Sequence, residues 1–282
     1  MIATLDRLLA PRSKTNGSPD RAVELRQTIS ASRLGVWLQC RLKFYFRYVA
    51  QIQRPPTPSM HAGSTVHAVL RTWNIARWRR EPFSVERFKA LFGLQWTKLQ
   101  EGTRINWQGE QDSERTSSWR AVEHYFDQTP IKANERPEAV EVGVEANLAR
   151  YGLPTLVGVI DLVRAAGRIV DFKLARKSPS AVHAVHMHEL QLTCYSLLYR
   201  DATSRKESAL ELHHLVRTKE PKLIVSAMPP STEQQKTRLF RQIESYQVGL
   251  ARRDFVPSPG FHCAGCEYFN ECRLWCGKEM HA

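Results

Sequence analysis

Between Glu138 and Leu148 the apolar positions recur every second residue. Val140, Val142, Val144, Ala146 and Leu148 alternate with Glu141, Gly143, Glu145 and Asn147, which predicts a strand over 138–148 with one face buried. Two further strands are expected at Leu156–Arg164 and Arg168–Leu174, joined by the glycine-containing turn Ala165-Ala166-Gly167, so that three successive strands form a meander. Leu210–Val216 and Leu223–Ala227 read as two more strands, with Thr218–Pro221 turning between them. The rest of the chain carries the helical period. From Ser30, SASRLGVWLQCRLKFYFRYV aligns Leu34, Trp37, Leu38, Leu42 and Tyr45 on one stripe, and Cys40 falls inside that predicted helix. Pro55, Pro56 and Pro58 break the chain before MHAGSTVHAVLRTWNIARW, where Gly63 is expected at a helix start and His67 one turn in. Residues 84–128 read as amphipathic helix with Trp96, Trp107 and Trp119 in the core or lining a groove, Ala181–Arg200 as a helix announced by Ser178-Pro179, and Thr232–Arg253 as a long helix opened by Ser231. A short helix over 1–10 and a flexible linker over Pro11–Pro19 precede all of this.

The hairpin predicted at 156–174 carries the first candidate chemistry. With a three-residue turn Arg164 faces Arg168, and the same register sets Asp161 opposite Asp171. Facing residues lie roughly 5 Å apart at Cβ, and like charges there repel. Lys173 emerges on the side of Asp171, while Ile160, Leu162, Val170 and Phe172 point into a core. A divalent cation such as Mg2+ or Mn2+ resolves the repulsion, because it takes carboxylate, water and phosphate oxygens as ligands. Such an ion lowers the pKa of a bound water and polarises a phosphodiester, and Lys173 is placed to orient that water or to stabilise the developing charge. The alternative is a surface hairpin whose Asp and Lys side chains form exposed salt bridges. Gln191 and Tyr195, four apart on the next helix, share one face and suit a nucleotide or phosphate. His183, His186 and His188 do not share a helical face and read as surface or DNA-facing groups.

Charge points the same way. Lys and Arg number 41 against 28 Asp and Glu, a formal charge of +13, which favours an acidic partner with nucleic acid foremost. Arg33, Arg41, Lys43 and Arg47 surround the stripe of the first long helix as candidate phosphate contacts, and Trp and Tyr residues between Arg33 and Tyr48 are candidate stacking platforms for bases. No apolar run is long enough to span a membrane, and MIATLDRLLAPRSK carries Asp6 and lacks a secretory core, so the expectation is a cytoplasmic protein without a membrane partner. Four of six cysteines crowd the last twenty residues. Cys263 and Cys266 have the C-x2-C spacing of metal or cluster ligands, and Cys272 follows. Cys276 would complete a local zinc site; Cys40 would instead close a cluster tying the N-terminal helix to the tail. Cys194 reads as buried.

Taken in order, these pieces resemble RecB-family nucleases of the PD-(D/E)XK superfamily, in the iron–sulfur branch that includes the AddB nuclease domain and CRISPR-associated RecB-like exonucleases. The resemblance covers residues 30–275. It rests on the aromatic helix with Cys40, G-x3-H at Gly63 and His67, G-x2-D at Gly158 and Asp161, D-x-K at Asp171-Phe172-Lys173, Q-x3-Y at Gln191 and Tyr195, and C-x2-C-x5-C at Cys263, Cys266 and Cys272. It implies a restriction-endonuclease-like α/β fold, a mixed central sheet flanked by helices, with a helical region and an iron–sulfur lobe joining the termini. The implied layout is an N-terminal segment 1–28 and one nuclease domain 29–282, divided into a helical part to 135, a core over 136–255 and a cysteine-rich tail from 256. By the same resemblance His67, Asp161, Asp171 and the Phe172 carbonyl hold Mg2+ or Mn2+, Lys173 is the catalytic lysine, and Gln191 and Tyr195 contact DNA. Cys40, Cys263, Cys266 and Cys272 hold a 4Fe–4S cluster, with zinc as the alternative because Cys276 is an added thiol. Arg41 stands where the family often has proline. The expected activity is hydrolysis of DNA, at single-stranded or free ends, in repair, recombination or CRISPR adaptation with integrase or recombination partners. The other reading is a non-catalytic DNA-binding or adaptor subunit.

Overall fold

A computed structural model of the chain describes residues 20–132 and 134–277. The helix and linker expected within residues 1–19 lie outside the described residues. Two compact units emerge, one built from Pro55–Ala146 and Gly158–Lys236, the other from the described residues through Arg54, Asn147–Val157 and those from Thr237 onward.

In the larger unit three helices and a mixed sheet share a core. The helices are α4 (Pro58–Arg79), α5 (Val85–Lys98) and α6 (Gln111–Gln128). The strands are β2 (Ala139–Ala146), β3 (Thr155–Arg164), β4 (Arg168–Ala175), β5 (Ala209–Val216) and β6 (Lys222–Met228). β2 lies beside β3, β3 pairs antiparallel with β4, β4 parallel with β5, and β5 antiparallel with β6. Helix α7 (Ala181–Thr203) makes the crossover that the parallel β4–β5 pair requires. The turn before β4 has the predicted length. Ala166 (φ 60°) and Gly167 (φ 68°) are both left-handed, and a side chain at Gly167 would run into the Tyr199 hydroxyl, so this position demands glycine.

Leu162, Val170 and Phe172 enter a core with Val66, Val69 and Leu70 of α4, Phe88 and Phe92 of α5, and Trp119, Val122 and Tyr125 of α6. Trp96 and Trp107 stack at 5.4 Å against it. A polar network is buried within the same unit. Glu211 accepts from Arg164 (3.0 Å) and Arg168 (2.7 Å) and meets His213 Nε2 at 3.0 Å, while His213 Nδ1 meets the Tyr125 hydroxyl at 3.0 Å.

Two local expectations for this unit need correction. Gly63 is not at a helix start and His67 is not one turn in. Thr57 caps the helix by accepting from Met60 N and Pro58 takes the first turn, where its missing N–H costs nothing, so Gly63 lies in the second turn and His67 in mid-helix. Ser231 does not open the last long helix, α8 (Glu233–Ala251). Thr232 does, exchanging hydrogen bonds with Gln235 as a capping box (2.8 and 3.2 Å), while Ser231 is held by Glu207, Ser196 and Arg200. His183 and His186 are exposed and His188 is half-buried.

The second unit contains α1 (Arg21–Leu25), β1 (Thr28–Ile29), α2 (Ala31–Gln39), α3 (Arg41–Phe44) and α9 (Phe269–Trp275). Residues 20–28, grouped by sequence with the N-terminal linker, form α1 and the start of β1, because Asp20 caps the helix and Ala22 and Leu25 are buried. Thr28 and Ile29 pair in parallel with Thr155 and Leu156. Cys40 is not inside a helix. Ser30 caps α2 as expected, but at Cys40 the backbone turns extended (φ −163°, ψ 114°), and its Sγ accepts from Lys43 N at 3.5 Å to start α3. The break lets Leu42 N reach the Val256 carbonyl at 3.1 Å. Trp37 does not serve as a stacking platform. It is 1% exposed, packed edge-on against Phe44 and Tyr246, with Gly249 so close that any side chain there would strike the indole. Among the described residues no helix is long and apolar enough to cross a membrane.

Candidate active site and cysteine cluster

The site grows from a change in the β3–β4 ladder. Arg164↔Arg168, Val163↔Ile169 and Leu162↔Val170 pair in the predicted register. At the next position the Asp161 carboxylate accepts from Phe172 N at 3.0 Å, so a side chain does the work of a ladder carbonyl. Asp161 therefore stands beside Asp171 without a regular backbone pair between them. Asp171 is almost fully buried, its Oδ2 2.7 Å from Lys173 Nζ. Gln191 of α7 joins the two, accepting from Lys173 Nζ (3.0 Å) and donating to Asp171 Oδ1 (3.0 Å) and to the Tyr195 hydroxyl (2.7 Å). From α4, His67 Nδ1 reaches Asp161 Oδ2 at 3.4 Å. Asp161, Asp171, Lys173, Gln191, Tyr195 and His67 thus gather in one place, contributed by two strands and two helices.

Close packing delivers α7 to this place. A Cβ at Gly158 would lie 2.7 Å from Leu198 Cδ1 of α7 and 3.9 Å from the Tyr195 ring. The glycine of the G-x2-D motif is the point where strand and helix approach.

Electrostatics follow from burial. Burial raises the Asp171 carboxyl and the nearby Asp161 charge adds to this, while the Lys173 ammonium and His67 oppose it. Burial alone would lower His67, but its hydrogen bond to Asp161 and the two carboxylate charges outweigh that and raise it. Tyr195 is raised by burial and by both carboxylates, so its hydroxyl stays protonated. Two acids, an imidazole and a strand carbonyl are a donor set suited to a hard divalent cation. Among the described residues no group of three or more His, Cys, Asp or Glu is gathered closely enough to hold an ion. The acids are held instead by Phe172 N–H, Lys173 and Gln191.

Sequence reasoning missed one neighbour. His214, on β5, is the register partner of Lys173, and its ring lies 5.9 Å from that of His188. Burial first, then the Lys173 and His214 charges, push His188 down to about 4. His188 sits three residues before Gln191 and could have been placed by helical spacing; His214 needed the parallel pairing.

The cysteines converge in the other unit. Cys40, Cys263, Cys266 and Cys272 line one cavity with Leu42 and Phe46, all as free thiols. Burial pushes Cys272 up to about 11, and the neighbouring Cys276, Cys40 and Cys263 add to it. Cys276 is exposed and does not line the cavity; Cys194 is buried on α7 and raised to about 12 by that burial. The proposed DNA contacts of the N-terminal helices are already engaged: Arg33 donates to the Thr28 carbonyl at 2.8 Å, and Arg41 pairs with Asp254 and lies over Trp37.

The sequence matches the PD-(D/E)XK nuclease superfamily over residues 28–273. No curated protein sequence matches it. Among solved structures, a "Putative exonuclease" from Eubacterium rectale aligns over 96% of this chain and 96% of its own, with 10% identity and a TM-score of 0.54, a likeness of fold. A second, SSO0001, aligns over 97% of this chain and 94% of its own with 12% identity and a TM-score of 0.42, too low to bear on the fold.

Proposed function

Because the chain belongs to the PD-(D/E)XK nuclease superfamily, we propose that it is a divalent-metal-dependent deoxyribonuclease of the RecB-like, iron–sulfur type, acting on single-stranded DNA ends. The observation that carries this reading is the convergence of Asp161, Asp171, Lys173 and Gln191 within hydrogen-bond reach of one another or of one backbone amide.

Mg2+ or Mn2+ would be held by Asp161 and Asp171 with His67 and the Phe172 carbonyl, and when bound it supplies a water of lowered pKa and a counter-charge for the phosphate. The residues around it have their own tasks. Gln191 holds Lys173 and Asp171 in fixed relation, so the ammonium stays aimed at the reacting centre. Lys173 orients the attacking water and balances charge building on the phosphate oxygens. Tyr195, kept protonated and accepting from Gln191, offers its own O–H to a phosphate oxygen. A phosphate-led site needs no base readout, which suits ends of any sequence.

The four cavity-lining thiols support a 4Fe–4S cluster. They line one space that the exposed Cys276 does not, which favours a cluster on Cys40, Cys263, Cys266 and Cys272 over a zinc site completed by Cys276. Such a cluster would be structural, tying the break before α3 to the tail across more than 200 residues of sequence.

Anaerobic purification, an absorption spectrum and degradation of end-labelled single-stranded DNA with manganese test the proposal, wild type against Lys173→Ala. A brown protein whose cleavage falls by about 10²–10³ in the variant is expected. Equal cleavage by both would overturn the catalytic reading, and a colourless, zinc-loaded active protein would overturn only the cluster.

A further inference from the structure

Beside His67 lies a surface groove of about 420 Å³ lined by Gly63, Ser64, His67, Ala68 and Arg71 of α4 and by Glu141 of β2. Gly63, His67 and Arg71 are each four residues apart, one stripe along the helix. The wall is low where Gly63 stands, since a methyl group there would meet no atom within 4 Å. At one end His67 touches Asp161; one turn further along, Arg71 Nε meets Glu141 Oε2 at 3.0 Å. That pair is half-exposed, 54% and 38% for the two side chains, so water competes for it and it holds weakly. Glu141 also has φ 44°, a left-handed conformation unusual for glutamate within a strand. Strained residues of this kind cluster where a ligand is handled.

We infer that Arg71 is a clamp for the DNA phosphate next to the scissile one, and that Glu141 occupies the clamp until DNA displaces it. The inference rests on the nuclease reading and extends it to a substrate contact. A strand whose scissile phosphate lies at Asp161 and Asp171 passes His67, and one helical turn, about 5.4 Å, is the scale of a step to a neighbouring phosphate. Guanidinium binds phosphate through paired N–H groups, with more strength than it binds a solvated carboxylate. Glu141 therefore acts as a weak competitor: it keeps Arg71 extended over the groove and repels anions that cannot replace it. The small residues Gly63, Ser64 and Ala68 leave room for the sugar.

The test is fluorescence anisotropy with a labelled oligothymidylate in calcium, across a range of salt, for wild type, Arg71→Gln and Glu141→Gln. Arg71→Gln should weaken binding about tenfold and make the slope of log affinity against log salt shallower by about 0.7, the value for one single-strand phosphate contact. Glu141→Gln should tighten binding several-fold, and the double variant should behave as Arg71→Gln. Circular dichroism melts of the three variants against wild type confirm that the fold persists. Unchanged affinity and slope in Arg71→Gln, in a wild type that binds and cleaves, would sink the clamp alone; a wild type that neither binds nor cleaves DNA would sink the nuclease reading and the clamp with it.

Discussion

Asp161, Asp171 and Lys173 project from adjoining strands, with Leu162, Val170 and Phe172 locked in a core beneath them. Cys40, Cys263, Cys266 and Cys272 come instead from a helix break, a short 3-10 turn (Phe261–Gly265), its end and a two-turn helix. The acids have protein partners already: an amide, an ammonium and a glutamine. The thiols have weaker ones, such as the Lys43 amide at Cys40, and burial makes Cys266 and Cys272 harder to ionise. A site whose ligands are satisfied by neighbours folds by itself and awaits its ion. A site whose ligands face one another across a cavity depends on what fills it. The same inference from sequence, a set of candidate metal-binding residues, thus covers two arrangements that differ in how far the protein alone satisfies them.

The largest expected effect separates the two. Lys173→Ala should lower cleavage by about 10²–10³ and shift thermal melting less than loss of a cavity cysteine does. Cys266→Ser should bleach the absorption of the proposed cluster and lower the melting temperature by roughly 10 °C, read by a circular dichroism melt. A Cys266→Ser protein with wild-type spectrum and melting would break the contrast.

A smaller effect probes how rigidly the acidic site is mounted. Burial pushes the Glu211 carboxyl up, but its bonds from His213 and Arg168 and the charges of His213 and Arg164 outweigh burial and bring it down to about 2. A depressed carboxyl stabilises the fold above its unfolded pKa, about 4.5, and that stability disappears as pH falls from there to about 2. Glu211→Gln, which takes one of two carboxylate partners from Arg164 (Glu135 remains) and leaves the half-exposed Arg168 to water, should cost about 1–3 kcal/mol in urea unfolding at neutral pH. The wild type should lose stability between pH 4.5 and 2 more steeply than the variant; parallel acid limbs would show that Glu211 is not the group responsible.

The smallest effect concerns the cysteine-bearing unit. Arg41 and Asp254 are each about a third exposed, so Arg41→Ala should change stability by less than about 1 kcal/mol. A larger loss would mean that the stacking of Arg41 on Trp37 holds the Cys40 break in place.

Much of this was legible in advance, and the limits have physical reasons. The period-two alternation of 138–148 and the β-branched run 156–174 announced the strands, because a sheet with one buried face imposes that pattern. The three-residue turn with Gly167 set the register, and the Q-x3-Y spacing put Gln191 and Tyr195 on one face. Helix boundaries were less visible. Cys40 interrupts a sequence whose apolar stripe runs straight through, since the break is decided by Leu42 reaching Val256, over two hundred residues away. Basic residues were visible and their partners were not, so Arg33 and Arg41 read as phosphate contacts although each is held within the protein.

By itself the sequence determined the strands, the paired acids with Lys173, and the cysteine spacing, all properties of neighbours along the chain. Tertiary structure alone decided that Asp161 would take the Phe172 amide, that His214 would stand beside Lys173, and that Cys40 would open onto the cavity of the tail cysteines. Periodicity is written by local geometry, whereas which distant groups meet is settled by how helices and strands pack. That packing depends on every residue in the core at once.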